Sequence, residues 1–149
     1  MKMQYQDILK KFAPCGLNCY KCFANSEGEI RNSSLKLQSL LGSFDIYAER
    51  FSSFLPIFKK YPSFKALLTY LTEENCPGCR KGSCLYPDCG VRDCYKAKNV
   101  DFCFQCEEFP CKKTNFDPHL ERRWKQINNR MKEIGIEAYY KETKDMPRY

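Results

Sequence analysis

Apolar residues recur every three or four positions in several stretches of the chain, which is the spacing of one face of a helix. The first stretch, residues 5–12, places Ile8, Leu9 and Phe12 on one side and ends before Pro14. Proline disfavours helical backbone in the residue before it. The pattern therefore predicts a short N-terminal helix.

Two further helices are predicted in the first half of the chain. Apolar residues at helical spacing run over residues 34–51, and Ser33 or Ser34 can cap the start of that helix. Gly42 lies in its middle and costs about 1 kcal/mol relative to alanine, so we expect the helix to bend or break there. A third helix is expected over residues 63–71, with the serine at its start as the cap. We expect these helices to supply most of the core.

The last helix carries the strongest start and stop signals. Asp117 can cap it, and Pro118 suits its first position, where the missing N–H is no loss. An apolar stripe follows, and Gly135 is a natural stop. The stripe consists of Leu120, Trp124, Ile127, Met131 and Ile134. We expect Trp124 in the core, and a polar, loosely held tail after Tyr140.

Residues 76–111 have a different character, because they show neither the period of a helix nor that of a strand. A segment of this kind needs metal or disulfide bonds for its order. The predicted fold class is therefore mostly α, with a small helical core and a cysteine-rich, irregular metal-binding lobe. We expect a single domain over residues 1–149. Within it, residues 1–75 form the helical part with the first cysteine loop, residues 76–111 the lobe, and residues 112–149 the C-terminal helix and tail.

Eleven cysteines in 149 residues fall into three groups with short, regular gaps. Two thiolates separated by two residues can chelate one ion, and Pro77-Gly78 between Cys76 and Cys79 suits the turn that this requires. All eleven are therefore candidate metal ligands: Cys15, Cys19, Cys22, Cys76, Cys79, Cys84, Cys89, Cys94, Cys103, Cys106 and Cys111. The first group has no fourth cysteine nearby, so we expect its loop to return to the lobe.

The cellular compartment decides how these cysteines are interpreted. The N-terminal sequence lacks the continuous apolar stretch of a secretory signal, and no apolar run approaches the roughly 18 residues that cross a bilayer. We therefore expect a cytoplasmic protein with no membrane partner. Disulfide bonds do not persist in a reducing compartment, so metal binding is favoured. A disulfide framework stays open as the alternative for a chain whose leader has been removed.

Zinc is the leading ion, because soft tetrahedral thiolate sites are its usual structural role. Eight cysteines in residues 76–111 suffice for two ions, and eleven cysteines with His119 would complete three. His119 could equally be an exposed side chain at a helix start. The alternative is an iron–sulfur cluster, such as [4Fe-4S], which cysteine thiolates also hold. The spacing of residues 15–22 resembles the cluster loop of radical S-adenosylmethionine enzymes, but the chain lacks the strand and helix signals of their barrel.

The formal net charge of +7 is weak support for an anionic partner. Eight thiolates around two divalent ions would lower the charge to +3, and eleven around three ions would lower it to +2. Basic residues of the last helix could form a nucleic-acid face. We interpret them instead as the solvated face opposite Trp124, because no recognition motif accompanies them.

Four strings follow one another along the chain: CGLNCYKC, CPGC, CLYPDCGVRDC and DFCFQCEEFPC. In this order they resemble the cysteine-rich bacterial and archaeal proteins grouped as domain-of-unknown-function family 3795. The similarity runs from Cys15 to Cys111 and includes the Lys-Tyr-Pro-Ser-Phe stretch before the third helix. The resemblance implies metal binding, with zinc as the ion. It implies no activity, so no residue is given a catalytic role.

Two functions remain as hypotheses. The first is a zinc-binding protein with structural metal sites that serves as a module for interaction with a protein or a nucleic acid. The second is an iron–sulfur or metal-handling redox protein. Structural zinc is favoured over catalytic zinc, because the chain has one histidine and enough cysteines to close every site.

Overall fold

A computed structural model describes residues 4–82 and 84–149. Within them the protein has seven α-helices: α1 (Tyr5–Lys11), α2 (Glu29–Leu41), α3 (Phe44–Phe51), α4 (Tyr61–Glu73), α5 (Val91–Ala97), α6 (Pro118–Ile134) and α7 (Ile136–Thr143). Short 3-10 turns lie at Cys19–Lys21, Pro56–Lys60, Cys79–Lys81 and Cys103–Gln105. No β-strand occurs in this part of the chain, so the prediction of a mostly α fold is confirmed. None of the described helices is long and apolar enough to cross a bilayer.

The break expected at Gly42 is present. α2 ends at Leu41, and Gly42 adopts a φ of +50°, a left-handed value that glycine reaches without a steric penalty. α3 then begins at Phe44. The apolar pattern over residues 34–51 therefore belongs to two helices.

The predicted starts of two helices are wrong. α2 begins before the predicted serine caps, with Gly28 as its N-cap, and Ser34 is buried in its interior. α4 begins at Tyr61, because the 3-10 turn at Pro56–Lys60 already leads into it with helical backbone. Ser63 therefore lies inside the helix. In both cases the helix starts where the preceding segment of chain ends, and the position of that segment depends on its packing.

Two segments that were expected to be irregular contain helices. In the lobe, α5 places Val91 in the core. In the tail, α7 follows α6 directly, and the residues beyond α7 contact the first cysteine loop. The ammonium group of Lys21 donates hydrogen bonds to the carbonyls of Lys144 and Met146. The expectation of a loosely held tail is therefore wrong.

α6 has the predicted cap and stop. The carboxylate of Asp117 accepts hydrogen bonds from two N–H groups of the first turn, at 2.9 and 3.1 Å. Gly135 ends the helix with a φ of +84°. Trp124 and Met131 of the predicted stripe are each 1% exposed. The placement of Trp124 in the core is thus confirmed.

The core lies between α1, α6 and the cysteine-rich segment. One buried cluster joins Ile8, Phe12, Phe102 and Met131. A second joins Ala13, Cys15, Val91 and Trp124. The expectation that three helices supply most of the core is right only for the first of them, which contributes Ile8 and Phe12. The described members of both clusters include no residue from α2, α3 or α4, in which Ala48, Tyr61 and Leu68 are buried separately. Their apolar residues pack mainly against one another.

Residues 27–75 form a helical arm whose two ends meet. The N–H of Ser26 donates to the carbonyl of Cys76 at 3.0 Å, and the N–H of Cys76 donates to the carbonyl of Ala24 at 2.9 Å. Asn25 and Cys76 form a parallel bridge. Along the arm α2 packs against α4, and α3 packs against α4 as well. The chain thus leaves the cysteine loops and returns to the same place.

A first prediction concerns Gly16, where the first cysteine loop comes closest to α6. Its φ is +91°, and a Cβ there would lie 2.6 Å from Cγ2 of Ile127 and 2.8 Å from Cε of Met131. Gly135 has a φ of +84° with no heavy atom within 4 Å of its Cβ position. Gly135→Ala should lower the free energy of unfolding by about 1 kcal/mol through backbone strain alone. Gly16→Ala should lower it by about 2 to 4 kcal/mol, because overpacking adds to the strain.

Urea unfolding of the two variants, followed by circular dichroism, measures the difference. Equal losses of stability would contradict a tight contact between the loop and α6.

Candidate metal centres

The first cysteine loop begins with a turn that directs the chain back along α1. The N–H of Ala13 donates to the carbonyl of Leu17 at 2.8 Å, and the N–H of Gly16 donates to the carbonyl of Ala13 at 2.9 Å. The side chain of Asn18 then caps the 3-10 turn at Cys19–Lys21. All three cysteines of the first group therefore lie in or next to one of these two turns, the turn at residues 13–17 and the 3-10 turn at Cys19–Lys21.

Asn128 of α6 is fully buried and joins two cysteine loops. Its Nδ2 donates to the carbonyl of Cys15 at 2.8 Å and to the carbonyl of Trp124 at 2.9 Å. Its Oδ1 accepts from the N–H of Phe104 at 3.1 Å, so one amide holds the first and the third cysteine groups together. Sequence analysis missed this residue. The available signal was a polar residue four positions after Trp124, on the same side of the helix.

Seven cysteines line one pocket of about 450 Å³. They are Cys15, Cys19, Cys22, Cys76, Cys79, Cys84 and Cys89, and we call this space the seven-cysteine pocket. The return of the chain at Cys76 brings the second group against the first loop, as the sequence led us to expect. The sulfurs of Cys19 and Cys79 lie 3.8 Å apart.

The other four cysteines line a separate cavity of about 30 Å³, which we call the four-cysteine cavity. They are Cys94, Cys103, Cys106 and Cys111. α5 carries the first of them, and the rings of Phe109 and Trp124 form part of the wall. The N–H of Cys103 donates to the carbonyl of Pro14 at 3.0 Å, which ties this cavity to the first loop. The structure thus divides the cysteines into two sets, one for each cavity, and these sets do not coincide with the three groups of the sequence.

Three sulfurs of the seven-cysteine pocket share hydrogen bonds. A hydrogen bond with Cys79 lowers the pKa of Cys19 to about 7 and the pKa of Cys84 to about 6. The guanidinium of Arg148 lowers both pKa values further. Hydrogen bonds with the same two sulfurs raise the pKa of Cys79. The trio therefore favours thiolate at Cys19 and Cys84 around a protonated Cys79, and a bound cation would replace that shared proton.

Burial acts on the other thiols in the opposite direction. It raises the pKa of Cys15 and of Cys89, and it raises the pKa of Cys103 to about 11. A buried thiol stays neutral unless a positive charge lies beside its sulfur. A metal ion would supply that charge, because coordinated cysteine is thiolate.

Three buried side-chain N–H groups have no hydrogen-bond partner of normal geometry among the described residues: Arg31 Nε, Trp124 Nε1 and Arg148 Nε. Trp124 lines the four-cysteine cavity and Arg148 lines the seven-cysteine pocket, whereas Arg31 lines neither. The indole N–H still lies near enough to lower the pKa of Cys103 against the larger effect of burial. A thiolate sulfur is an acceptor that would satisfy such a donor.

Within residues 4–82 and 84–149, no three His, Cys, Asp or Glu side chains are arranged so that they could hold an ion as they stand. The assignment of the eleven cysteines as ligands therefore stays a prediction. No disulfide joins any two of them, and all eleven are among the described residues. The donor chemistry fits zinc or another soft ion, because each cavity combines several thiols with a residue that stabilises thiolate, Trp124 beside Cys103 and Arg148 near Cys19 and Cys84.

The candidate ligand His119 and the acidic residue Glu108 lie away from the cavity interiors. His119 is exposed in the first turn of α6 and lines neither cavity. Glu108 is exposed and forms ion pairs with Lys113 and Lys98, which lower its pKa to about 2. Both lysines line the four-cysteine cavity, so this pair of contacts lies at its rim.

Basic residues of α6 are engaged in ion pairs on its outer face. Lys125 lies 2.6 Å from Glu121, and Arg130 lies 2.9 Å from both Glu133 and Glu142. Pairs at this spacing are typical of a solvated helix face. The arrangement supports that interpretation over a nucleic-acid face.

The chain belongs to the family described as "Protein of unknown function (DUF3795)", whose profile matches residues 11–116. The match covers more than two thirds of the chain and includes all eleven cysteines, so the resemblance seen in the sequence is confirmed. It ends before α6, which carries Trp124 and Asn128. No curated protein and no solved structure matches the chain.

A second prediction tests the clamp at Asn128. Asn128→Ala should lower the free energy of unfolding by about 2 to 4 kcal/mol, because it leaves the carbonyl of Cys15 and the N–H of Phe104 buried without partners. Asn129→Ala, at the next and exposed position, should change it by less than about 0.5 kcal/mol. Chemical unfolding of both variants is the measurement. Similar stabilities would rule out the clamp.

Proposed function

We propose that this is a metal–thiolate protein with a structural centre in each cavity, zinc being the ion, and that these centres hold the loops from which an interaction module, the arm, projects. The observation that carries the proposal is the coincidence of thiols and orphaned N–H groups. Buried donors without partners are rare in folded proteins. Of the three such donors among the described residues, two belong to residues that line the two places where cysteines gather, and the third belongs to Arg31, away from both. Metal-bound sulfur would accept from the first two.

The four-cysteine cavity is the simpler centre. Its four thiols equal the ligand number of a structural zinc site. Burial disfavours a lone thiolate at Cys103, so ionisation there depends on a cation. The indole of Trp124 would then both exclude water and donate to sulfur, which are the two tasks of groups around a metal site.

The seven-cysteine pocket offers more sulfur than one tetrahedral ion uses. Cys19, Cys79 and Cys84 already share hydrogen bonds, so we place the first ion at this trio with a fourth ligand from the same pocket. The positive charge of Arg148 would offset part of the excess negative charge of a four-thiolate zinc site. The remaining cysteines leave the expected total at two or three ions.

An iron–sulfur cluster is the second candidate, and the volume of the seven-cysteine pocket favours it. A space of about 450 Å³ exceeds what a single four-coordinate ion needs. Cysteine thiolates hold such clusters, and solvent exposure and hydrogen bonds to sulfur tune their potential. Either centre requires reduced thiols, so we propose a reducing compartment, the cytoplasm.

A third prediction separates zinc from the cluster. Protein prepared without oxygen should be colourless and contain two or three zinc ions per chain by elemental analysis. Iron and acid-labile sulfide in whole-number amounts, with a brown colour, would overturn zinc and support the cluster. Chelation should lower the melting temperature and protease resistance of the first loop and of residues 76–111 together, because the seven-cysteine pocket is lined by both segments.

A fourth prediction uses Trp124, the one tryptophan of the sequence, as a reporter of the four-cysteine cavity. Cobalt(II), a paramagnetic substitute for zinc, should quench its fluorescence when bound there. Quenching should persist in the Cys19→Ser/Cys79→Ser variant and be lost in the Cys94→Ser/Cys106→Ser variant. Each double variant should bind one ion fewer than the parent protein. Equal metal content in all three proteins would contradict two separate centres.

A further inference from the structure

The arm exposes more apolar surface than the rest of the described chain. Of fourteen large apolar side chains with substantial exposure, eleven lie within residues 35–70. Leu40 is 76% exposed, and Phe54, Ile57 and Leu67 are each about two thirds exposed. Both buried clusters of the core lie outside the arm. The arm therefore holds apolar residues that its own fold does not cover.

The exposed area is of the size that a stable interface needs. Five of the eleven residues, Ile46, Phe54, Leu55, Ile57 and Tyr70, lie in the groove and the tip described below, and they leave on the order of 500 Å² of apolar surface accessible. Monomeric proteins rarely expose contiguous apolar patches of more than a few hundred Å². A standard interface buries about 800 Å² per partner, of which about 57% is non-polar. The area is thus sufficient for association with one further protein surface.

Much of this surface is continuous, because aromatic rings contact one another along the arm. Phe51 lies at centroid distances of 6.3 Å from Tyr47, 5.7 Å from Phe54 and 5.9 Å from Phe58. Phe58 lies 5.6 Å from Phe44. Through Phe44 the row continues to Tyr61 and Phe64, at successive distances of 5.1 and 5.7 Å.

The arm presents two apolar features, a groove and a projecting tip. The first is a groove of about 940 Å³ between α3 and α4, with Ile46, Phe58, Tyr61 and Tyr70 among its lining residues. The second is a tip, residues 53–60, from which Phe54, Leu55 and Ile57 project into solvent. The tip offers apolar side chains of the kind that such a groove accommodates.

The groove and the tip also differ in charge, in a way that favours contact between them. The groove carries three carboxylates, from Asp45, Glu49 and Glu73, against two lysines. Asp45 is already paired with Lys65 at 3.0 Å. Lys59 belongs to the tip and also lines the groove, so the charge that the tip alone contributes is that of Lys60. The tip has no carboxylate, and no acidic residue occurs anywhere in residues 50–72. A basic, apolar tip therefore complements the acidic, apolar groove of another copy.

We propose that the arm joins two copies of this chain in a symmetric dimer, in which the tip of each copy enters the groove of the other. A two-fold dimer forms this contact twice, because residue i of one copy meets residue j of the other and the reverse. The proposal goes beyond the metal centres, since the arm's surface is separate from both cavities. It identifies the partner of the interaction module as a second copy.

The test is the mass in solution, by size-exclusion chromatography with light scattering, and the dimer dissociation constant, by analytical ultracentrifugation. The unmodified protein should have the mass of two chains.

Ile57→Glu at the tip and Ala66→Glu in the groove should each raise the dissociation constant at least about 100-fold, because each buries an unpaired charge. Leu40→Glu is the matched control. It adds the same charge at an exposed position of α2 outside the tip and groove and should leave the dimer intact.

Mixing the two weakened variants tests the reciprocal geometry. A pair made of one Ile57→Glu chain and one Ala66→Glu chain keeps one intact contact, so it should associate more tightly than either variant alone. A monomeric unmodified protein would overturn the proposal. This holds even if the monomer sediments with anionic lipid vesicles, a result that would indicate a membrane surface as the partner of the arm. Dimers that persist in both variants would overturn it too. Metal content and helical circular dichroism, measured on the same samples, separate this outcome from failure of the metal centres and from unfolding.

Discussion

The side-chain amide of Asn128 is the contact on which the arrangement of the cysteine loops depends. It holds the carbonyl of Cys15 and the N–H of Phe104 from a fully buried position on α6. A buried amide that lost these partners would pay the full cost of desolvation, so the bonds specify the geometry strongly. Each cavity is joined to that fixed point, the seven-cysteine pocket through Cys15 and the four-cysteine cavity through the loop that contains Phe104. α6 thus acts as a frame for residues that are distant in sequence.

The two cavities impose opposite electrostatic conditions on similar thiols. At Cys103 burial dominates and favours the neutral form. At Cys19 and Cys84 hydrogen bonding and the charge of Arg148 favour the thiolate. A cation bound among the sulfurs would resolve both conditions, because it makes thiolate the stable form even where water is excluded. These two conditions are the electrostatic reason for proposing a metal centre in each cavity.

Local signals in the sequence predicted some elements well and others poorly, for identifiable reasons. α6 was predicted from Asp117 to Gly135, because its cap, its first-turn proline and its stop act within a few residues. The break at Gly42 was predicted for the same reason. The start of α2 depends instead on the packing of Gly28, whose Cβ position lies 2.8 Å from the carbonyl oxygen of Tyr20. Such a contact between separate segments leaves no periodic trace in the chain.

The sequence was enough to identify the cysteines of the candidate site, but not to show which of them line the same cavity. Spacing identified all eleven cysteines, and the need for further ligands predicted that the first loop meets the lobe. Which cysteines share a cavity depends on the backbone pairing of Asn25 with Cys76 and on α5, which sets Cys94 apart from Cys89. α5 escaped prediction because Cys94, one of its inward positions, was interpreted as a metal ligand in an irregular segment. Arg148 was missed because a charged residue in a polar tail carries no local sign of burial.

The adjoining ends of the arm have a consequence for how this protein can change over time. Ser26 and Cys76 are hydrogen-bonded neighbours, and the other contacts between the arm and the cysteine loops lie near its two ends, where α2 packs against the turn at Cys19–Lys21 and Tyr70 contacts Phe23. The entropy of closing a loop grows slowly, by about 0.6 kcal/mol for each doubling of its length. A change of length at the far end of the arm, around residues 53–60, should therefore cost the cysteine loops little.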